Sequence, residues 1–158
     1  MDAVGSVPIG EYPQAEIRGS VGMRPRFLKR IRYPRRIDSF EQIVLRVSGM
    51  RVTVEYEILN GDAIQISRYR ICYTDGENVR ELEKSVSCSK EIMLELLISC
   101  SIVNWNGFYG KHPKNVRDGD MFKFFAYVND GQTIRAEGSA NYPKGYHEFI
   151  RTLNQMLN

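Results

Sequence analysis

From Phe40 onward, hydrophobic residues fall on alternate positions through the first half of the chain, and that two-residue period marks strands with one face in a core. Ile43, Leu45 and Val47 alternate with polar or oppositely facing neighbours. Gly49 then breaks the run, and Val52, Val54, Tyr56 and Ile58 resume it against Arg51, Thr53, Glu55 and Glu57. The pattern predicts two strands, or one long strand bulged at Gly49. Asn60-Gly61 signals a hairpin, since both residues tolerate the positive φ of a tight two-residue turn. A further strand is predicted from Ile64 to about Tyr73. Its apolar phase shifts near Ser67 and Arg68, which predicts a second bulge, and Asp75-Gly76 ends it.

The period then lengthens. Ser89, or Ser87, is a suitable N-cap for a helix over Lys90 to Ser101, with Glu91 in the first turn where a carboxylate suits the helix dipole. Ile92, Met93, Leu94, Leu96, Leu97 and Ile98 make that helix apolar on nearly every side, which predicts burial over most of its circumference, with Trp105 buried at its end. Met121 to Val128 reads as a strand with Phe122, Phe124 and Ala126 on one face and Phe125 and Tyr127 on the other. Asn129-Asp130-Gly131 turns it into a partner over Gln132 to Glu137. The last segment follows Pro143, a residue tolerated in a first helical turn. It carries Tyr146, Phe149, Ile150, Leu153, Met156 and Leu157 as one apolar stripe opposite Glu148, Arg151, Thr152 and Asn154.

These elements predict an α+β fold in which a mainly antiparallel sheet of about five strands packs on two helices, as a single domain over residues 37–158. Residues 1–36 are read as a Gly- and Pro-rich leader followed by an extended basic arm outside that domain. With 158 residues, 42% hydrophobic and 26% charged, the composition fits one globular domain. No run of about 18 apolar residues is present to span a membrane, and residues 1–22 lack the pattern of a secretory signal, so a cytoplasmic location is expected. Cys72, Cys88 and Cys100 are odd in number and match no zinc spacing. They are expected to be reduced core residues, with no metal or cofactor.

Charge changes the picture more than composition does. The net charge of +3 is modest, but residues 1–40 hold eight basic and four acidic residues, against fourteen and fifteen in the remainder. Arg24, Arg26, Lys29, Arg30, Arg32, Arg35 and Arg36 place seven cations between Met23 and Arg36 with no acid among them. Phe27, Leu28, Ile31 and Tyr33 lie in the same stretch. Pro25 and Pro34 bracket it and disfavour a conventional basic helix, leaving at most two turns between Arg26 and Tyr33.

Catalytic signatures are missing from the sequence. It has no Gly-x-Gly-x-x-Gly, no Gly-Lys-Ser/Thr and no His-Glu-x-x-His. Asp118 and Asp120 with Asn115 have the residue types to chelate Mg²⁺, but Asp-Gly-Asp before a strand is ordinarily a turn. His112 reads as a solvated loop residue and His147 as a structural one beside the last apolar stripe. Asn104, Asn106, His112, Asp118, Asp120 and Asn141 form a site only if their loops meet at one end of the sheet.

Trp105-Asn106-Gly107, Asp118-Gly119, Asp130-Gly131 and Gly138-Ser139-Ala140-Asn141-Tyr142-Pro143 before a terminal helix resemble a small domain that recurs in bacterial proteins. The resemblance covers about Ser89 to Leu157 and, more loosely, the chain from Tyr33. Asn106 replaces the usual Asp, Phe122 stands where Trp is common, and Asn141 is displaced by one position. The resemblance implies the order of elements. It carries no catalytic residue, because no activity is established for that domain.

The resulting expectation is a non-enzymatic binding module whose basic arm contacts nucleic acid or a nucleoprotein complex. Arginine and lysine would neutralise phosphates while the aromatics stack on bases or pack back on the domain. An acidic protein surface is a further possible partner for such an arm, and a membrane is not expected. The alternative is a small inhibitor or adaptor of the kind carried by phages or mobile elements, an anti-defence protein that docks on a host nucleic-acid-handling complex.

Overall fold

The structure, a computed structural model, describes residues 33–158. Seven strands form one sheet: β1 (Phe40–Ser48), β2 (Thr53–Asn60), β3 (Ile64–Thr74), β4 (Glu77–Cys88), β5 (Tyr109–Gly110), β6 (Met121–Val128) and β7 (Gln132–Ser139). Their order is β4-β3-β2-β1-β6-β7-β5, antiparallel throughout except where the short β5 runs parallel to β7. Two helices, α1 (Lys90–Ser99) and α2 (Tyr146–Leu157), and a 3-10 turn over Ile102–Trp105 complete the described residues. The fold is thus α+β as expected, with seven strands rather than five.

The two additional strands have physical reasons for being inconspicuous. Edge strand β4 is exposed along most of its length and buries few apolar groups, so its sequence shows little alternation. Its period is further broken at Glu83. The β3–β4 register steps from Arg68↔Lys84 to Tyr69↔Leu82, leaving Glu83 as the extra residue of a bulge. That carboxylate accepts from Nε of Arg68 at 3.2 Å and Nε of Arg70 at 3.1 Å. The second bulge is therefore on β4 and not on β3, whose pairing with β2 is unbroken. The phase shift seen in β3 is a change of buried face, from Ile64 and Ile66 on one side to Tyr69 on the other. Strand β5 has only two residues, too few to show a period.

The turns follow residue chemistry with one correction. Asp75 and Gly76, at φ 52° and 81°, make the two-residue turn from β3 into β4. Gly49 separates two antiparallel strands and is not a bulge in one. Asn60 is not a turn residue either: it pairs with Ile64, the loop is Gly61 to Ala63, and its amide donates to the Phe40 carbonyl at 2.8 Å. The side chain fastens the start of β1 instead of bending the chain.

One sheet face carries Ile43, Leu45, Tyr56, Ile58, Ile66, Phe122, Phe124, Ala126 and Ile134 into the main core beneath the helices. Helix α1 is capped by Ser89, whose hydroxyl accepts from the Ile92 amide at 3.2 Å. It buries only Met93, Leu96 and Leu97; Ile92 and Ile98 are 50% and 66% exposed, so the expectation of burial on most sides is corrected to burial on one. Of the cysteines only Cys100 is a core residue, Cys72 and Cys88 being half-buried, and all three are free. Burial pushes the Cys88 and Cys100 thiols up, and a hydrogen bond with Glu81 does the same for Cys72, so none is poised as a thiolate.

Helix α2 buries Tyr146, Phe149, Leu153 and Leu157. It begins after Gly145, at φ 91°, where a Cβ would stand 2.1 Å from the Cys100 carbonyl oxygen, so only glycine lets α2 start against the end of α1. Trp105 joins the same corner, as expected from the sequence. It is 1% exposed, packs on Phe124 at 4.9 Å and Phe149 at 5.7 Å between ring centroids, and donates from Nε1 to the Lys144 carbonyl at 2.9 Å.

The opposite sheet face also buries side chains, among them Val44, Phe125 and Tyr69, outside the main core cluster. Glu55, an apparently outward polar position in the strand pattern, is 3% exposed there. Its carboxylate accepts from Nε and Nη2 of Arg46 at 3.2 and 3.0 Å and from Nη1 of Arg80 at 3.0 Å. Arg80 also reaches Glu57 at 3.4 Å and lies over the Tyr69 ring at 4.0 Å. This network ties β1, β2 and β4 together across the strand order.

Two stability predictions follow from these contacts. Trp105→Ala should cost about 3–5 kcal/mol in denaturant unfolding, the range for a large aromatic removed from a core. Glu55→Ala should cost about 3 kcal/mol or more, because two largely buried guanidinium groups lose a carboxylate partner. Values under about 1 kcal/mol would contradict the packing and the network respectively.

Candidate functional site

Of the seven predicted contact residues, the structure describes Arg35 and Arg36; Arg24, Arg26, Lys29, Arg30 and Arg32 lie outside the described residues. The two are fixed in place by a neighbouring turn. Asn129, at φ 51° between β6 and β7, accepts at Oδ1 from the amides of Asp38 at 2.7 Å and Ser39 at 3.1 Å. Its Nδ2 donates to the Arg36 carbonyl at 2.7 Å and to Gln132 at 2.9 Å, and its own amide donates to Ser39 at 3.0 Å. One side chain thus pins the segment entering β1 against the β6–β7 turn. Arg36 projects outward beside Asp38, 82% and 62% exposed at a 2.9 Å separation, a pairing that water screens heavily. Tyr33, Arg35, Arg36, Asp38 and Gln132 border a shallow depression of ≈ 880 Å³ there.

A second cationic locus, which the sequence did not single out, occupies the other end of β6 and β7. A groove of ≈ 580 Å³ is bordered by Arg46, Lys111, His112 and Lys123, with Glu137 as its one acid and Ser48 and Ser139 as hydroxyl groups. Strand pairing assembles it: Arg46 faces Lys123 across β1 and β6, and Lys123 faces Glu137 across β6 and β7. Lys111 and His112 arrive on the loop leaving β5, which Asn141 secures by donating to the Lys111 carbonyl at 3.2 Å. His112 is held at both nitrogens. Nε2 stands 2.5 Å from the Val116 carbonyl and so carries the hydrogen there, while Nδ1 stands 2.8 Å from the Ser139 hydroxyl. The ring is an anchored loop residue rather than a freely solvated one. The two loci lie about 25 Å apart, the length of eight-residue β6 at about 3.3 Å per residue.

The loop polar residues do not converge on a single site. His112 borders the cationic groove, whereas Asp120 borders a different groove beside α2. Asn106 accepts from the Arg135 amide at 3.0 Å and serves the backbone, and Asn104 and Asp118 are exposed. Among the described residues, no three His, Cys, Asp or Glu side chains gather as a metal site. No described helix is long and apolar enough to cross a membrane. A signal for the groove existed in the sequence only as Lys111, His112 and Lys114 around Pro113; the contributions of Arg46 and Lys123 depend on strand register.

Comparison with protein-family models yields no match, and neither the curated proteins nor the solved structures supply one. The resemblance to a small bacterial domain therefore assigns no family.

Asn129→Gly keeps a residue that tolerates positive φ and removes the side-chain bonds to the segment around Arg36. It should lower stability by about 2 kcal/mol, a few exposed hydrogen bonds at about 0.5–1.5 kcal/mol each. Amide exchange at Asp38 and Ser39 should accelerate together. Unchanged exchange at both would show that Asn129 does not hold the segment.

Proposed function

We propose that the protein is a non-enzymatic binding module whose basic segment contacts nucleic acid or a nucleoprotein complex. The observation that carries this reading is the sign segregation from Met23 to Arg36, seven cations without one acid, interleaved with Phe27 and Tyr33. A solvated loop has no need of such density, while a polyanion rewards it through counterion release. Tyr33 is 72% exposed, as a side chain available for base stacking must be. Support also comes from Lys111 and Lys123, which extend positive charge to the far end of the same two strands that anchor Arg36. Phosphate contacts of this kind position a protein without reading bases, so sequence preference is weak.

If about four of the seven cations engage phosphates at once, log K for duplex DNA falls with log salt at a slope of about −3.6. Replacing Arg30, Arg32, Arg35 and Arg36 with Ala should flatten the slope and leave the unfolding midpoint in place. Absence of measurable binding to DNA or RNA at about 50 mM salt would overturn the free nucleic-acid reading. Co-purification with a protein complex alone would then favour the inhibitor or adaptor reading.

A further inference from the structure

Both helices pack on one face of the sheet, and strand register lines up a strip of side chains on the other. Phe122 and Phe124 point into the main core, so Lys123 and Phe125, one position on, point away from it. On β7, Glu137 sits opposite Lys123 and Arg135 opposite Phe125, and Tyr109 of β5 flanks Glu137 on its far side. Directly paired residues share a face, so Tyr109, Lys123 and Arg135 stand on it together. Lys123 and Arg135 are one strand and two residues apart, about 8 Å between their backbones. A depression of ≈ 310 Å³ bordered by Phe108, Phe125 and Arg135 adjoins the cationic groove, because Lys123 and Glu137 border both.

The charge along this strip is not neutralised. Among the described residues Lys111, Lys123 and Arg135 form no ion pair, whereas Arg46 is held by Glu55 and is not counted. The Arg135 guanidinium lies over the Phe125 ring at 5.0 Å, with Nε and Nη2 shut in without partners. Its contribution to the depression is therefore its field, which the apolar ring beneath it leaves unscreened, and not a bond through those two nitrogens. Glu137 is the one acid bordering either depression. Beside these cations Tyr109 is 69% exposed, a ring left in water at the end of the strip. At the opposite end the β6–β7 turn pins Arg36, with the exposed Tyr33 next to it, so the strip runs on into the basic segment.

We infer that the β6–β7 strip is a track for single-stranded nucleic acid, with Lys111, Lys123 and Arg135 drawing its phosphates and Tyr109 stacking on a base. This rests on the nucleic-acid reading and names the form of nucleic acid that the sheet takes. A duplex keeps its base faces inside its own stack and gains little from an exposed tyrosine; a single strand has free faces to offer one. An acidic peptide matches the cations but brings no ring system for Tyr109.

The test is fluorescence anisotropy of the full chain at about 50 mM salt with labelled eight-nucleotide oligo-dT and oligo-rU, a length within the 4–16 nucleotides typical of such sites, and with duplex DNA. Tyr109→Ala should weaken oligonucleotide binding about fivefold or more, the lower end for one stacked base, while leaving duplex binding unchanged; Tyr109→Phe should bind as the parent does. Lys123→Gln should reduce the oligonucleotide salt slope by about 0.7. Glu137→Gln should tighten binding, a gain that damage to the fold does not produce. The tighter of the two oligonucleotides identifies the sugar the strip prefers. Parent-like oligonucleotide binding in Tyr109→Ala and Lys123→Gln, with loss only when Arg30, Arg32, Arg35 and Arg36 are replaced, would overturn the strip and leave the basic-segment reading standing. Equal displacement of the oligonucleotide by a poly-glutamate peptide of the same charge would also overturn it, and absence of binding to any nucleic acid would overturn both.

Discussion

A seven-stranded sheet covered on one face by helices of ten and twelve residues has little apolar cover to spare, and Trp105 is the side chain that joins those parts. Its ring fills the gap between Phe124 on the sheet and Phe149 on α2, while its N–H holds the backbone just before α2 begins. Gly145 then lets that backbone lie against the end of α1. The indole thus seats α2 on the sheet, and the start of α2 meets α1 only where Gly145 lies against Cys100. Remove it and the corner loses its packing, its hydrogen bond and the reference that sets where α2 starts.

Legibility in the sequence tracks burial pattern. The α2 stripe, the aromatic alternation of β6 and the seat of Trp105 were readable because each element buries one regular face. Strand β4 was not, since an edge strand with a bulge at Glu83 exposes most of its side chains and breaks its own period. Ile92 and Ile98 misled in the other direction, apolar residues left exposed on α1. Glu55 shows a further limit: an acid in a strand reads as an outward residue, and only the placement of Arg46 and Arg80 across three strands makes its burial tolerable.

The sites were legible to a different degree. Charge density in the N-terminal stretch needs no fold to be seen, but what anchors it does: Asn129 lies 93 residues from Arg36 in the chain and binds its carbonyl. The cationic groove likewise combines residues from β1, β6 and the loop after β5 that no sequence window joins. The same holds for the Tyr146 hydroxyl, whose lack of a hydrogen-bond partner exists only once everything around it is folded. The architecture separates these roles. The helix-covered face supplies stability, and the proposed contact groups all sit off it, on turns, strand ends and the opposite sheet face.

That separation is the central claim, and hydrogen–deuterium exchange of the full chain, with and without saturating duplex DNA at low salt, tests it most directly. The account predicts protection over residues 23–38 and over the groove segments 109–123, with exchange in α1 and α2 unchanged. Protection concentrated in α1 and α2, with residues 23–38 unaffected, would contradict it.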